Sequence, residues 1–372
     1  MAPDSFTGTL TAAEVAAAMA RGWRRVDSGA DIDEIPLSDG GPGFARVMGT
    51  GSGTTTSPVL VTGPLRSPVT AHVVHHSSTA FTGSTAYIES AECCGLHLVP
   101  ADQRDPRTTT TVGVGEAIAA AVDGGARRIV VGLGGSATTD GGAGVLSALG
   151  ARAVDVEGVE VPLDRGGGAL GVVAHVDVAP ALDRLDGVRL VVASDVDVPL
   201  LGLRGAAQGF APQKGATASQ VAELESNLAR FSAATGFPPD VAGRPGAGAA
   251  GGLGFALLLL GAEFNPGMAV VAEALGLRER FAAADLVITG EGSLDWQSLG
   301  GKVVAGVADL GRSVGTPVAA IVGRLRLEPS QWRDLGLTAA VATVGPDDPA
   351  SSDPALAVAE AAARLAARWS RE

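Results

Sequence analysis

Several carboxylates in this sequence share one context, an acid beside glycine or another turn former at the end of an apolar run. They are Asp39 in Ser-Asp-Gly-Gly, Asp140 in Thr-Asp-Gly-Gly, Asp195 with Asp197 in Ser-Asp-Val-Asp, and Glu291 with Asp295 in Gly-Glu-Gly-Ser-Leu-Asp. Ligands of open α/β sheets bind beyond the carboxyl ends of strands. Carboxylates placed there hold Mg²⁺ or act as general bases. Each one taken singly is equally well a helix N-cap or a turn residue. Their recurrence is what points to chemistry.

The lysines add a second signal. Lys and Arg together number 27, yet only Lys214 and Lys302 are lysine, and each stands beside glycine, in Pro-Gln-Lys-Gly and Gly-Gly-Lys. An ammonium is a compact point charge suited to phosphate or carboxylate. A third signal is Gly132-Leu133-Gly134-Gly135-Ser136-Ala137, which follows an apolar run and matches the dinucleotide fingerprint, with Asp155 near the place of the ribose acid. It supports a rival reading, an NAD-dependent oxidoreductase. The residues Thr138 to Gly142 suit a phosphate- or metal-binding loop equally well. A P-loop is excluded, because Val303 follows Lys302 and position 296 is Trp.

These residues need elements to position them. Thr11-Ala12-Ala13-Glu14 is a capping box that predicts a helix to about Arg25. Strands are expected over 31–37, 57–62, 69–76 and 84–89, the last three as an antiparallel or mixed patch. A helix from Thr111, a strand over 128–131, a helix near 141–149 and a strand near 151–156 read as a βαβ-like unit. A strand at 188–193 ends at Asp195, a helix covers 217–233, residues 244–254 form a glycine-alanine loop, and helices fill 255–283. The last third alternates: strand 285–289, helix from 301, strand 317–322, short helix, strand 338–343, helix 353–369. That pattern predicts a parallel sheet with covering helices. An apolar strand is also expected ahead of Ala2-Pro3-Asp4.

Bulk properties narrow the function. The 372 residues suggest two domains, and 46% hydrophobic residues suffice for their cores. A net charge of −13 argues against nucleic-acid binding but not against ATP, which a metal ion and a few local cations hold. The adjacent Cys93 and Cys94 build neither a disulfide framework nor a zinc site, and read as small, half-buried apolar residues. His72, His75 and His76 read as surface residues on a strand. The N-terminus lacks a signal-peptide pattern, and the longest apolar run, 255–262, is too short to span a membrane. A cytoplasmic protein without a membrane partner is expected.

The motifs resemble the bacterial class I glycerate kinases along nearly the whole chain. The matching segments include Ala2 to Phe6, Ser38 to Gly41, Val61 to Leu65, Thr108 to Thr110, Gly132 to Gly142, Asp195 to Asp197, Pro212 to Ala216, Pro245 to Gly254 and Ala284 to Lys302. The resemblance implies two α/β domains with the active-site cleft between them. One is discontinuous, 1–61 with 266–372, with a mainly parallel Rossmann- or flavodoxin-like sheet. The other is a mixed α/β insert, 62–265. It also implies ATP and Mg²⁺ as cofactors, glycerate or a related small hydroxy acid as acceptor at the 2-hydroxyl, and a monomer or homodimer.

Carried over, Asp195, Asp197, Lys214, Glu291, Asp295 and Lys302 are catalytic, and Asp195 and Asp197 hold the metal, with Asp295 joining them there or at the acceptor hydroxyl. Asp4, Ser5 and Asp39 bind substrate. Gly134, Gly135, Ser136, Asp140, Gly248 and Gly251 bind the nucleotide. The chain departs from the family pattern at Thr7 (usually Lys), Pro42 (usually Glu), Thr139 and Val198 (usually Asn), which implies a divergent paralog with another hydroxy acid, weakened activity, or binding without turnover.

Overall fold

The computed structural model describes residues 1–6, 8–77, 84–296, 298, 302–345 and 351–369. They divide into two compact units, Gly40–Gly267 and a discontinuous unit of Met1–Asp39 with Met268–Glu372.

The unit Gly40–Gly267 is built on a six-stranded sheet. Its strands are β1 (Thr54–Thr62), β2 (Pro68–His76), β3 (Ser84–Glu89), β4 (Ala126–Gly132), β7 (Arg189–Ala193) and β8 (Glu263–Asn265), hydrogen-bonded in that order. Pairing is antiparallel from β1 to β3 and parallel from β3 to β8. The adjacent interior strands β4 and β7 carry Ile-Val-Val and Leu-Val-Val, and those residues are all buried, while Arg127 and Arg189 near the strand starts are exposed. Strands covered on both faces by helices lose the alternation of a half-exposed strand. Because β1 pairs with β2 along its full length, residues 40–61 belong to this unit, and its first boundary lies earlier than the expected 61/62.

The expected βαβ unit does not form. Between β4 and β7 the chain makes two short strands, β5 (Arg152–Val154) and β6 (His175–Asp177), which pair antiparallel with each other outside the main sheet. Asp155 sits in the turn after β5, where its Oδ1 accepts the N–H groups of Glu157 and Val159. Gly132 is glycine because a Cβ there would meet the Gly40 carbonyl and the Phe44 ring. The first glycine of the fingerprint thus answers to packing and Asp155 is engaged in a turn, so the parts that the oxidoreductase reading needs do not come together.

The discontinuous unit carries parallel strands β9 (Val287–Thr289), β11 (Val318–Val322) and β13 (Leu337–Ala342), in the order β13-β11-β9. The short β10 (Ser293–Leu294) pairs with β12 (Arg324–Leu325) beside it. Two further lanes extend the sheet beyond β9. The N–H groups of Ala2 and Asp4 donate to the carbonyls of Ile288 and Gly290, and those of Ile35 and Leu37 donate to Met1 and Pro3. Pro3 and Pro36 have no N–H to complete a ladder. The segment expected as a strand over 31–37 is accordingly extended but not a regular strand. The helix Ala12–Arg24 begins at the anticipated capping box, with Thr11 N–H donating to Glu14 Oε2 at 2.8 Å. The helix Pro354–Trp369 packs along it. Among the described residues no helix is long and apolar enough to cross a membrane.

Candidate active site

In the unit Gly40–Gly267, a cavity of about 280 Å³ is lined by Gly134, Gly135, Ser136, Lys214, Gly248 and Gly251, together with apolar residues that include Leu96, Leu133, Val196 and Phe210. Lys214 is buried, and its Nζ donates to Ser136 Oγ at 2.9 Å and to the Thr138 carbonyl at 2.6 Å. Both partners are neutral. Burial pulls the ammonium down to about 8, against the opposing pull of Cys94 and Asp140. An ammonium offers three hydrogens, so one remains for an anion in the cavity. Gly251 makes this wall possible. Its φ of +74° lies in a run of left-handed residues from Ala250 to Gly252, and a Cβ there would overlap the Thr138 carbonyl and come within 3.0 Å of Lys214 Nζ.

Asp140, expected at the nucleotide, is not in this lining. It is fully buried, and its carboxylate is filled by Thr111 N–H and Oγ1 and by the N–H groups of Gly142 and Gly144, at 2.8–3.3 Å. Burial raises its pKa despite those donors. It ties the loop before the helix Ala143–Ala148 to the start of the helix Val112–Asp123, which is the N-cap and turn explanation open to every acid in the series.

Asp195 and Asp197 lie just past the carboxyl end of β7 and flank Val196, a residue of the cavity wall. Asp195 is half-buried and its Oδ1 accepts the Gly267 N–H at 3.0 Å, while Asp197 is exposed. Among the described residues no group of three or more His, Cys, Asp or Glu side chains gathers closely enough to hold a metal alone. Mg²⁺ brought with a nucleotide needs only one or two carboxylates, the rest being phosphate oxygens and water. These two hard-oxygen donors beside the ammonium-lined cavity fit that requirement.

In the discontinuous unit the parallel lanes 35–37, 1–4 and 287–289 end side by side, and each runs into an acid: Asp39, Asp4 and Glu291. Ser5 N–H donates to Asp4 Oδ1 at 2.6 Å. Burial first, then the charges of Asp39 and Glu291, pushes Asp4 up to about 7 against the pull of Ser5. Burial likewise pushes Glu291 up to about 7, opposed by the Ser298 hydroxyl and by Lys302, and aided by Asp295 and Asp39. Glu291 is 9% exposed, and its Oε1 has no hydrogen-bond partner among the described residues. Lys302 caps the start of the helix Val303–Val314. Asp295 closes a turn, accepting from Ser293 Oγ at 3.0 Å while its own N–H donates to Ser298 Oγ.

The proposed site residues thus fall into two sets, each assembled within its own unit. Lys214, Ser136, Gly134, Gly135, Gly248 and Gly251 line one cavity, with Asp195 and Asp197 next in the chain to its wall residue Val196; Asp4, Ser5, Asp39, Glu291, Asp295 and Lys302 gather toward one sheet end. Sequence reasoning missed the apolar side of the cavity and the hydroxyl of Ser298, which carry no motif of their own. It also missed that Glu92 meets His72, with Nδ1 3.2 Å from Oε2, and that both cysteines are completely buried and free. Thr7, one of the divergent positions, lies outside the described residues, as do Gly300 and Gly301 beside Lys302.

Comparison with known proteins identifies the family. The chain is 44% identical over 342 residues to the glycerate kinase of Bacillus subtilis (strain 168), covering 91% of this chain and 88% of that protein. It is 42% identical over 328 residues to the glycerate 2-kinase of Escherichia coli (strain K12), covering 87% and 84%. A crystal structure assigned as glycerate kinase 2 from Salmonella typhimurium LT2 matches with a TM-score of 0.82 at 38% identity, over all of this chain and 97% of that one. The model of the glycerate kinase family matches residues 1–370, and the chain belongs to that family.

Proposed function

We propose that this protein transfers the γ-phosphoryl group of ATP to a hydroxyl of glycerate, the 2-hydroxyl in our reading. Family membership gives the reaction class. The observation that supports the assignment of parts is the buried ammonium of Lys214, held by two neutral acceptors at the wall of a glycine-lined cavity. A buried cation without an anionic partner is costly, and a phosphate chain supplies that partner. Gly134, Gly135, Ser136, Gly248 and Gly251 bring backbone close to the phosphates, and the apolar wall receives less polar parts of the nucleotide.

Asp195 and Asp197 are the residues we assign to Mg²⁺, which when bound neutralises charge on the β- and γ-phosphates. Asp195 is held in place by Gly267, so its charge is fixed before the nucleotide arrives. Asp4, Ser5, Asp39, Asp295 and Lys302 serve the acceptor, Lys302 being the cation available to a carboxylate. We place the enzyme in the cytoplasm, where ATP is, acting as a monomer or homodimer.

A coupled assay of ADP release over small hydroxy acids tests the reading. D-glycerate should give ADP in step with phosphoglycerate, and ³¹P NMR of the product should show the 2-phosphate. ADP release that ignores the hydroxy acid, or none with any of them, overturns it.

A further inference from the structure

We propose that Glu291 is the general base of the transfer, taking the proton of the acceptor hydroxyl, and that Asp4 on the adjoining lane sets the pH at which it does so. The inference rests on the phosphotransferase reading above.

Three parallel lanes end together and present Asp39, Asp4 and Glu291 at one edge of the sheet. Within that group Glu291 has the orphaned atom. Its Oε1 is buried without a donor among the described residues, while Ser298 bonds to the same carboxylate. A buried carboxylate oxygen lacking a donor costs free energy, and an incoming O–H removes that cost. The site therefore favours a ligand hydroxyl over a ligand anion at this atom. Among the described residues Asp39 and Asp295 act on Glu291 as negative neighbours and Lys302 as a positive one, and Asp4 on the adjoining lane is coupled to it. Burial and the neighbouring carboxylates raise the proton affinity of Glu291 against the pull of Ser298 and Lys302, and a base works best when its pKa lies near the working pH.

The acceptor O–H bond breaks and its proton passes to the Glu291 carboxylate. The freed electron pair forms the bond to the γ-phosphorus, the bond from that phosphorus to the β,γ-bridging oxygen breaks, and its pair leaves with ADP. Glu291 returns the proton to water after product release. Asp4 is a positioning residue, acting through its charge on Glu291.

The test is kcat and kcat/KM for D-glycerate across neutral pH for the full-length wild type, Glu291→Gln and Asp4→Asn, with thermal melts of each. Wild-type activity should fall on the acid side with a limb near pH 7. Glu291→Gln should lose about 10²–10⁴-fold in kcat, abolish that limb and leave the KM for ATP nearly unchanged. Asp4→Asn should move the limb to lower pH whatever it does to the plateau, because a negative neighbour is gone. A folded Glu291→Gln protein with kcat within a few-fold of wild type overturns the assignment, as does an Asp4→Asn limb that stays in place. If Glu291→Gln does not fold, the Asp4→Asn limb decides alone. A wild type that releases no ADP with glycerate overturns the phosphotransferase reading itself and this inference with it.

Discussion

Two buried charged regions of this protein are built in opposite ways. Around Lys214 a single ammonium is enclosed by a hydroxyl, a carbonyl and apolar walls, and its pKa is pulled down. Around Asp4 and Glu291 several carboxylates crowd the end of one sheet, and their pKa values are pushed up. In the first region no carboxylate hydrogen-bonds the ammonium, whose partners are neutral, so an anion in the cavity would complete it. The second holds too much negative charge and is completed by a proton or by a neutral hydroxyl. The comparison teaches that burial moves an ammonium and a carboxylate in opposite directions, and on the proposed assignment the phosphate donor meets the buried cation and the hydroxyl acceptor the cluster able to take a proton.

The largest effect that sharpens this contrast is expected from Lys214→Met. It removes the cation while keeping the length and apolar stem. Steady-state kinetics should show about 10³-fold loss in kcat/KM for ATP, with a thermal midpoint unchanged or raised, since a buried ammonium with only neutral partners is costly. A large drop in midpoint would mean that the lysine serves the fold.

Asp195→Asn comes next. Asparagine still accepts the Gly267 N–H, so the melt should match wild type, while kcat at saturating Mg²⁺ should fall about 10²-fold. Titration of Mg²⁺ should show weaker dependence on the ion. Unchanged kinetics would remove Asp195 from the metal.

Gly251→Ala tests the scaffold under the first region. Its left-handed backbone and the overlap with Thr138 should cost about 1–3 kcal/mol in denaturant unfolding, and the displaced Lys214 should weaken ATP binding as well. Full stability in this variant would mean that the cavity wall is not as tightly fixed as the geometry requires.

The smallest effect concerns stability against pH. A carboxyl with a raised folded-state pKa binds its proton more tightly folded than unfolded. Its favourable contribution is thus complete below the unfolded value and lost as pH rises through the folded one. For Asp4 that window runs from 3.8 to about 7. Asp4→Asn should therefore melt higher than wild type above pH 7, with the difference shrinking toward pH 4. A constant difference across that window would place the effect in packing instead of charge.

The sequence displayed the second region more openly than the first. Glu291 and Lys302 stand in one continuous stretch, and the capping box at Thr11 and the alternation after 285 located the sheet that carries them. The lanes of Asp4 and Asp39 were harder to see, because Pro3 and Pro36 interrupt their strand pattern. The rarity of lysine singled out Lys214, but nothing local reveals that its partners come from Ser136 and Thr138, far away in the chain. The glycine motif misled in one respect. Gly132 answers to the backbone of Gly40 and the Phe44 ring, and such long-range crowding has no local signature. Asp140 shows the same limit: the residue type fits both a ligand and a cap, and only the four donors around it decide.

The most direct test of this division of labour is a side-by-side kinetic comparison of Lys214→Met and Glu291→Gln at saturating glycerate and varied ATP. The account predicts that the first variant mainly raises the KM for ATP, whereas the second leaves that KM near wild type and lowers kcat. Two variants that lose the same parameter to the same extent would contradict it.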